Sequence, residues 1–228
     1  MALLKIDEKK KPVVTIVAVL AIAASFISIF ITQCERPPKI NMKPYLAVGQ
    51  VAAEETAKLL GNKGKIVIVV QDTSQFKTKN SPSDVQIETF KETIKKQGGI
   101  SVSGTETVKI DMMAMHGPEM GLPGDLFVKI VQKYPDADAI VSFAGAPQLT
   151  DEQISSLGQK IPKFVAVSGM GMMGMGLKKL FEEQVIQLAI VPRFEPAPPS
   201  TKKPETLREW FDQTYKVVTA ENASTLPF

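Results

Sequence analysis

Twenty consecutive residues near the N-terminus, Val13 to Thr32 (VVTIVAVLAIAASFISIFIT), carry no charge, proline or glycine. At about 1.5 Å per helical residue such a run spans roughly 30 Å, the thickness of a bilayer's hydrocarbon core. The pattern therefore predicts a transmembrane helix over 13–33, with Val13, Leu20, Phe26 and Phe30 among its anchoring side chains. The hydroxyls of Thr15, Ser25, Ser28 and Thr32 can bond back to helix carbonyls. A cleaved secretory signal has a shorter apolar core of about 7–15 residues and a small-x-small cleavage site. Here the run ends in Thr32-Gln33-Cys34-Glu35, and Gln33 is bulky where a lipoprotein signal has a small residue, so Cys34 reads as a juxtamembrane residue. Lys5, Lys9, Lys10 and Lys11 precede the run, against Arg36, Lys39 and Lys43 after it. That balance predicts a cytoplasmic tail over 1–12 and a C-terminal part outside the cytoplasm, in the periplasm if the membrane is a bacterial inner one.

Scarcity limits the chemistry. The 228 residues include one Cys and one His. That excludes an internal disulfide framework, a Cys-rich zinc or iron–sulfur site and the HExxH metalloprotease motif. After residue 34 the chain has 23 basic and 22 acidic side chains. No global field attracts a phosphate backbone, and nucleic acid is not an expected partner.

Beyond a Pro37-Pro38 linker (34–45), helix and strand signals alternate over 46–192. Leu46, Val48, Val51, Ala52, Leu59 and Leu60 mark an amphipathic helix that Gly61 ends, and Lys65 to Gln71 (KIVIVVQ) is an apolar run typical of a strand buried on both faces. Ser83 to Gln86 has capping-box spacing and opens a helix that stops at Gly98-Gly99. Ile100 to Ile110 reads as extended and Gly124 to Tyr134 as helical. Ala139 to Ala144 is a buried strand, and Thr150 to Gln153 is a second capping box whose helix Gly158 ends. Lys163 to Ser168 is strand-like, Leu177 to Glu183 helical and Ile186 to Val191 the last strand. Five strands with intervening helices predict an α/β domain: one doubly wound, mainly parallel sheet of order 2-1-3-4-5 with helices on both faces. Residues 193–228 read as a proline-rich segment and a C-terminal amphipathic helix, with Leu207, Trp210, Phe211 and Val218 on one stripe.

The segments GQVAAEETAKLLGNKGKIVIVV, KETIKKQGG, YPDADAIVSFAG and IPKFVAVSG together resemble one lobe of a type I periplasmic sugar-binding protein, over roughly Val48 to Val191. The resemblance implies two lobes closing on a ligand, and this chain has length for one. It also implies an Arg early in the helix after the first strand, Asn or Asp after the third and Asp after the fourth. The aligned positions hold Gln86, Gly145-Ala146-Pro147 and Ser168-Gly169. A sugar hydroxyl needs directional partners to offset its lost water, so the expectation is a lobe that has lost its small-molecule site.

Eight of the ten methionines fall in two loops: Met112, Met113, Met115 and Met120, then Met170, Met172, Met173 and Met175. Both loops leave the carboxyl edge of the expected sheet. Flexible, polarizable Met clusters suit an adaptable protein-binding surface, to which Trp210 and Phe211 could add. Thioethers also suit Cu(I), with Met113, Met115, His116, Met170, Met172, Met173 and Met175 as candidate ligands. Gly169 to Gly174 matches GxGxxG, but no acid follows at the end of the next strand, where a dinucleotide site needs one. The polar loop Asp72 to Ser83 is where the resemblance places ligand contacts. No nucleophile motif accompanies His116, so no catalytic residue and no cofactor is expected. Asn222-Ala-Ser224 is a glycosylation acceptor only in a secretory setting.

These readings combine into a non-enzymatic, membrane-anchored accessory or scaffolding subunit of a larger membrane complex, its partners integral membrane proteins and the bilayer. The alternatives are a tethered solute-binding component of a transporter and a Cu(I)-binding protein.

Overall fold

In a computed structural model the described residues are 15–16, 19–25, 40–74, 81–109, 121–158, 161–167, 176–193 and 203–226. The chain divides into two compact units, 1–41 and 42–228. In the first, residues 15–16 and 19–25 are helical and exposed, and the Ser25 hydroxyl donates to the Ala21 carbonyl at 2.8 Å. Leu20 is 63% exposed, while Val13, Phe26 and Phe30 lie outside the described residues. No helix among the described residues is long and apolar enough to cross a membrane, so the expected span over 13–33 has no counterpart there.

The second unit opens with helix α1 (Lys43–Leu59) and strand β1 (Gly64–Gln71), then α2 (Pro82–Gln97) and β2 (Ile100–Val108). A short strand β3 (Leu122–Pro123) leads into α3 (Gly124–Lys133), followed by β4 (Ala139–Ser142), short β5 (Pro147–Gln148) and α4 (Asp151–Ser156). Strand β6 (Lys163–Val167), α5 (Leu177–Glu182) and β7 (Leu188–Pro192) precede α6 (Leu207–Thr214), β8 (Tyr215–Thr219) and a final 3-10 turn at Ala223–Thr225. The main sheet runs β2-β1-β4-β6-β7-β8, parallel except for β8, which pairs antiparallel with β7.

Alternation along each strand explains why both faces are covered, because successive side chains of a strand point to opposite sides. Ile66 and Ile68 of β1, Val141 of β4, Val165 of β6 and Ile190 of β7 pack with α1, α2 and Phe211 of α6. Val67, Val69, Ile140, Ala166 and Ala189 face the other way, toward Phe127 and Ile130 of α3 and Leu180 of α5. Aromatic rings seal each layer: Phe90 meets Phe143 edge-on at 5.4 Å, and Phe127 meets Phe164 at 5.2 Å.

Several sequence expectations need correcting. The sheet has six strands, not five, and its chain-order numbering differs from 2-1-3-4-5 because β3, β5 and β8 enter the count. The stripe read as one C-terminal helix ends at Thr214, where the β-branched and aromatic run YKVVT takes the open edge of β7. The cap of α2 is Ser81, not Ser83. Its side chain accepts from the Asp84 N–H while Asp84 accepts from the Ser81 N–H, and Pro82 sits at the first helical position, where its missing N–H costs nothing. The second capping box, at Thr150 and Gln153, forms as read. Helix α1 begins at Lys43, inside the expected linker.

Two close contacts fix the helices, one against a helix and one against a strand. At Gly49 a β-carbon would collide with the Gln86 carbonyl oxygen and approach Thr89 Cβ to 2.9 Å, so glycine lets α1 and α2 touch backbone to backbone. On the other face, Glu106 of β2 accepts from Lys133 Nζ at 2.8 Å and from the Tyr134 hydroxyl at 2.5 Å. Those two donors hold the Glu106 carboxyl below its usual range, Lys133 contributing most. Tyr134 fits because Gly104 leaves room for its hydroxyl.

Gly49→Ala is expected to lower stability by about 1–3 kcal/mol through overpacking, read as a fall in the denaturant midpoint with unchanged slope. Glu106→Gln is expected to cost about 1 kcal/mol at neutral pH. Because the folded-state pKa is lowered, that contribution is present above the unfolded value near 4.5 and is lost as pH falls through the folded one. Thermal midpoints of the two proteins measured against pH should therefore converge as the pH falls through the lowered folded-state value of Glu106.

Candidate functional site

The helices after β1 and β4 leave the sheet on opposite sides. α2 joins the layer of α1, while Ile154 and Leu157 at α4 pack on the layer of α3. Adjacent parallel strands whose connections diverge in this way form a topological switch point, with a crevice outside their carboxyl ends.

One wall of that crevice is Gln71, the last residue of β1, with Asp72, Thr73 and Ser74 after it, all partly or fully exposed. The Asp72 N–H donates to the Val108 carbonyl at 2.8 Å, extending the β1–β2 pairing past the end of β1. The Ser74 N–H then donates to Asp72 Oδ1 at 2.9 Å, turning the chain sharply back. Hydrogen bonds from Ser74, with a smaller contribution from the charge of Lys109, hold the Asp72 carboxyl below its ordinary range. This is an ionised acceptor flanked by hydroxyls.

The facing wall follows β4. The Phe143 N–H donates to Val69 O at 2.8 Å, the buried Ser142 hydroxyl accepts from the Ala144 N–H at 3.2 Å, and Gly145 turns with φ of +96°. Ala144 to Pro147 is buried. A two-stranded clasp holds this wall in place: β3 pairs parallel with β5, and the Leu122 N–H donates to Ala146 O at 2.9 Å. A β-carbon on Gly121 would collide with that same Ala146 carbonyl. Prolines in both short strands (Leu122-Pro123, Pro147-Gln148) hid the clasp from sequence reading, since proline argues against strand.

Of the residues singled out from sequence, the eight loop methionines, His116, Cys34, the GxGxxG segment and positions 75–80 of the polar loop lie outside the described residues. Gln86 is 6% exposed, on the α2 face that packs on α1 at Gly49, rather than in the crevice. Trp210 and Phe211 dock on their own domain. Phe211 is 1% exposed within the α1–α2 layer, Lys43 stands 5.9 Å from the Trp210 ring, and Arg208 reaches Glu55 at 3.5 Å. Asn222 is committed to its turn: Oδ1 accepts from the Thr219 N–H and Nδ2 donates to Val217 O. Among the described residues no group of His, Cys, Asp and Glu is arranged to hold a metal ion.

No protein-family model matches the sequence, and no curated protein sequence does. Solved structures do share the fold. An arabinose-binding protein from Geobacillus stearothermophilus aligns with a TM-score of 0.52 at 17% identity, covering 81% of this chain and 63% of its own. An ABC-transporter solute-binding protein from Burkholderia graminis, solved with D-arabinose, gives 0.51 at 17%, covering 79% and 61%. A LacI-type transcriptional regulator from Bacteroides fragilis gives 0.50 at 10%, covering 79% and 61%. The fold is that of the type I periplasmic binding proteins. The chain spans about three-fifths of the length of the structures it matches.

Gly121→Ala is expected to pry β3 from β5 and cost about 1–3 kcal/mol. Hydrogen exchange should show lost protection at the Leu122 amide, with the β1 and β4 amides unchanged.

Proposed function

We propose that this chain is the solute-recognising lobe of an extracytoplasmic transport component, holding a small neutral polyhydroxy solute in the crevice outside β1 and β4. The observation that carries the reading is Asp72. Its carboxylate is kept ionised at a switch point, beside Thr73 and Ser74, and charge-assisted hydrogen bonds to sugar hydroxyls are the strong kind. Two proteins of the same fold are described as bound to D-arabinose or as arabinose-binding, which supports a pentose-sized solute. This replaces the expectation of a lobe without a small-molecule site. A cover over these two walls would come from a partner lobe.

A second reading concerns the tether. The apolar run over 13–32 supports a bilayer anchor that holds the lobe outside the cytoplasm beside integral membrane subunits, with the methionine loops as its contact surface. Under either reading the chain binds rather than catalyses.

Titration calorimetry of the full chain with D-arabinose, L-arabinose and related pentoses is expected to show saturable binding by at least one sugar. At 100 times its dissociation constant that sugar should add about 2.7 kcal/mol of stability. Asp72→Ala should weaken it at least about tenfold, or about 1.4 kcal/mol. A pentose panel giving neither heat nor thermal shift would remove the reading. Carbonate washing of membranes tests the tether, with the chain expected in the pellet.

A further inference from the structure

A second concavity lies on the edge of the domain, between the outer strand β2 and helix α3. It is an open cleft of about 420 Å³, within the size range of small-molecule sites. Its walls are apolar: Val108 and Ile130 are 6% and 5% exposed, and Leu126 is half-buried beside them. Its charged lining is Glu106, Lys109, Lys129 and Lys133.

The charges do not cancel. Glu106 is taken up by Lys133 and by the Tyr134 hydroxyl, so that carboxylate and that ammonium neutralise one another. Lys109 and Lys129 form no ion pair among the described residues, and both are exposed. Two ammonium groups therefore stand over an apolar floor in a cleft whose one lining carboxylate, Glu106, is already compensated. An apolar wall gives up little water cost to an alkyl or aromatic body, and the paired lysines supply the field for a negative head group.

We propose that the β2–α3 cleft is a binding site for an amphipathic organic anion, a carboxylate on an aliphatic or aromatic body. The head group meets Lys109 and Lys129, and the body lies against Val108, Leu126 and Ile130. The site is distinct from the crevice at β1 and β4, although the charge of Lys109 also acts on Asp72.

The test uses the full chain and three probes in titration calorimetry: octanoate, its neutral counterpart octanamide, and acetate, which has the charge without the body. Octanoate is expected to bind at least about tenfold more tightly than either of the others. Raising the ionic strength from about 0.1 to 1 M, which shortens the screening length from about 10 to 3 Å, should weaken octanoate and leave octanamide unchanged. Lys129→Gln and Lys109→Gln, both exposed and so expected to fold, should each weaken octanoate several-fold, and Leu126→Asn should weaken octanoate and octanamide alike. Equal binding of octanoate and octanamide, or octanoate binding that Lys109→Gln and Lys129→Gln leave untouched, would overturn the proposal. So would loss of octanoate binding in Asp72→Ala, since that would put the anion in the crevice at β1 and β4.

Discussion

Ile66, Val67, Ile68 and Val69 in the centre of β1 are each fully buried. Since neighbouring side chains of a strand point to opposite faces, no single layer of helices can cover all four. The chain must place α1 and α2 on one side and α3 on the other, and parallel strands joined by right-handed crossovers are the economical way to do so. Once β1 feeds a helix on one face and β4 a helix on the opposite face, a crevice opens between their carboxyl ends whatever residues line it. The location of the candidate site thus follows from hydrophobic burial, and its chemistry is left to the loops.

That division explains why the two walls of the crevice differ. After β1 the chain has to leave the layer between the helices quickly, and Asp72 makes the turn by accepting from the Ser74 N–H. The polar group that serves the turn is also the one we propose for a solute. After β4 the chain is buried from Ala144 to Pro147 and tied to β3 by the parallel clasp, so that stretch of the wall is small and apolar. Asp72 is joined to the end of β2 through Val108, and Val108 also lines the edge cleft. The two concavities therefore share the carboxyl end of one edge strand and differ in what surrounds it.

The sequence was most readable where burial alone dictates structure. Strands β1, β4 and β6 fall where the continuous apolar runs KIVIVVQ, AIVSFA and KFVAVS predicted them, and glycines mark the stops of α1 and α2, with Gly98 left-handed at φ of +77°. Readability failed where a local preference had two outcomes. Leu207, Trp210, Phe211 and Val218 fit a helical stripe, yet β7 offered an unpaired edge and Tyr215–Thr219 is rich in strand formers, so pairing with the edge won. Capping-box spacing occurs at Ser83 as well as at Ser81, and only the proline at the first helical position separates them.

The charged cleft was unreadable for a different reason. Lys129 and Lys133 are one helical turn apart on α3, a spacing that by itself describes any solvated helix face. Glu106 and Lys109 sit in a strand and the loop beyond it, twenty or more positions earlier. What joins them is the crossover that lays α3 beside β2, together with the absence of a side chain at Gly104, which lets Tyr134 reach Glu106. Pairing of Glu106 with Lys133 leaves the two other lysines of the lining as its unpaired charges. Neither the pairing nor the sign of the remaining field exists until the edge strand and its helix are packed. A site of this kind follows from the fold, whereas the hydrophobic pattern that sets the fold is written directly in the chain.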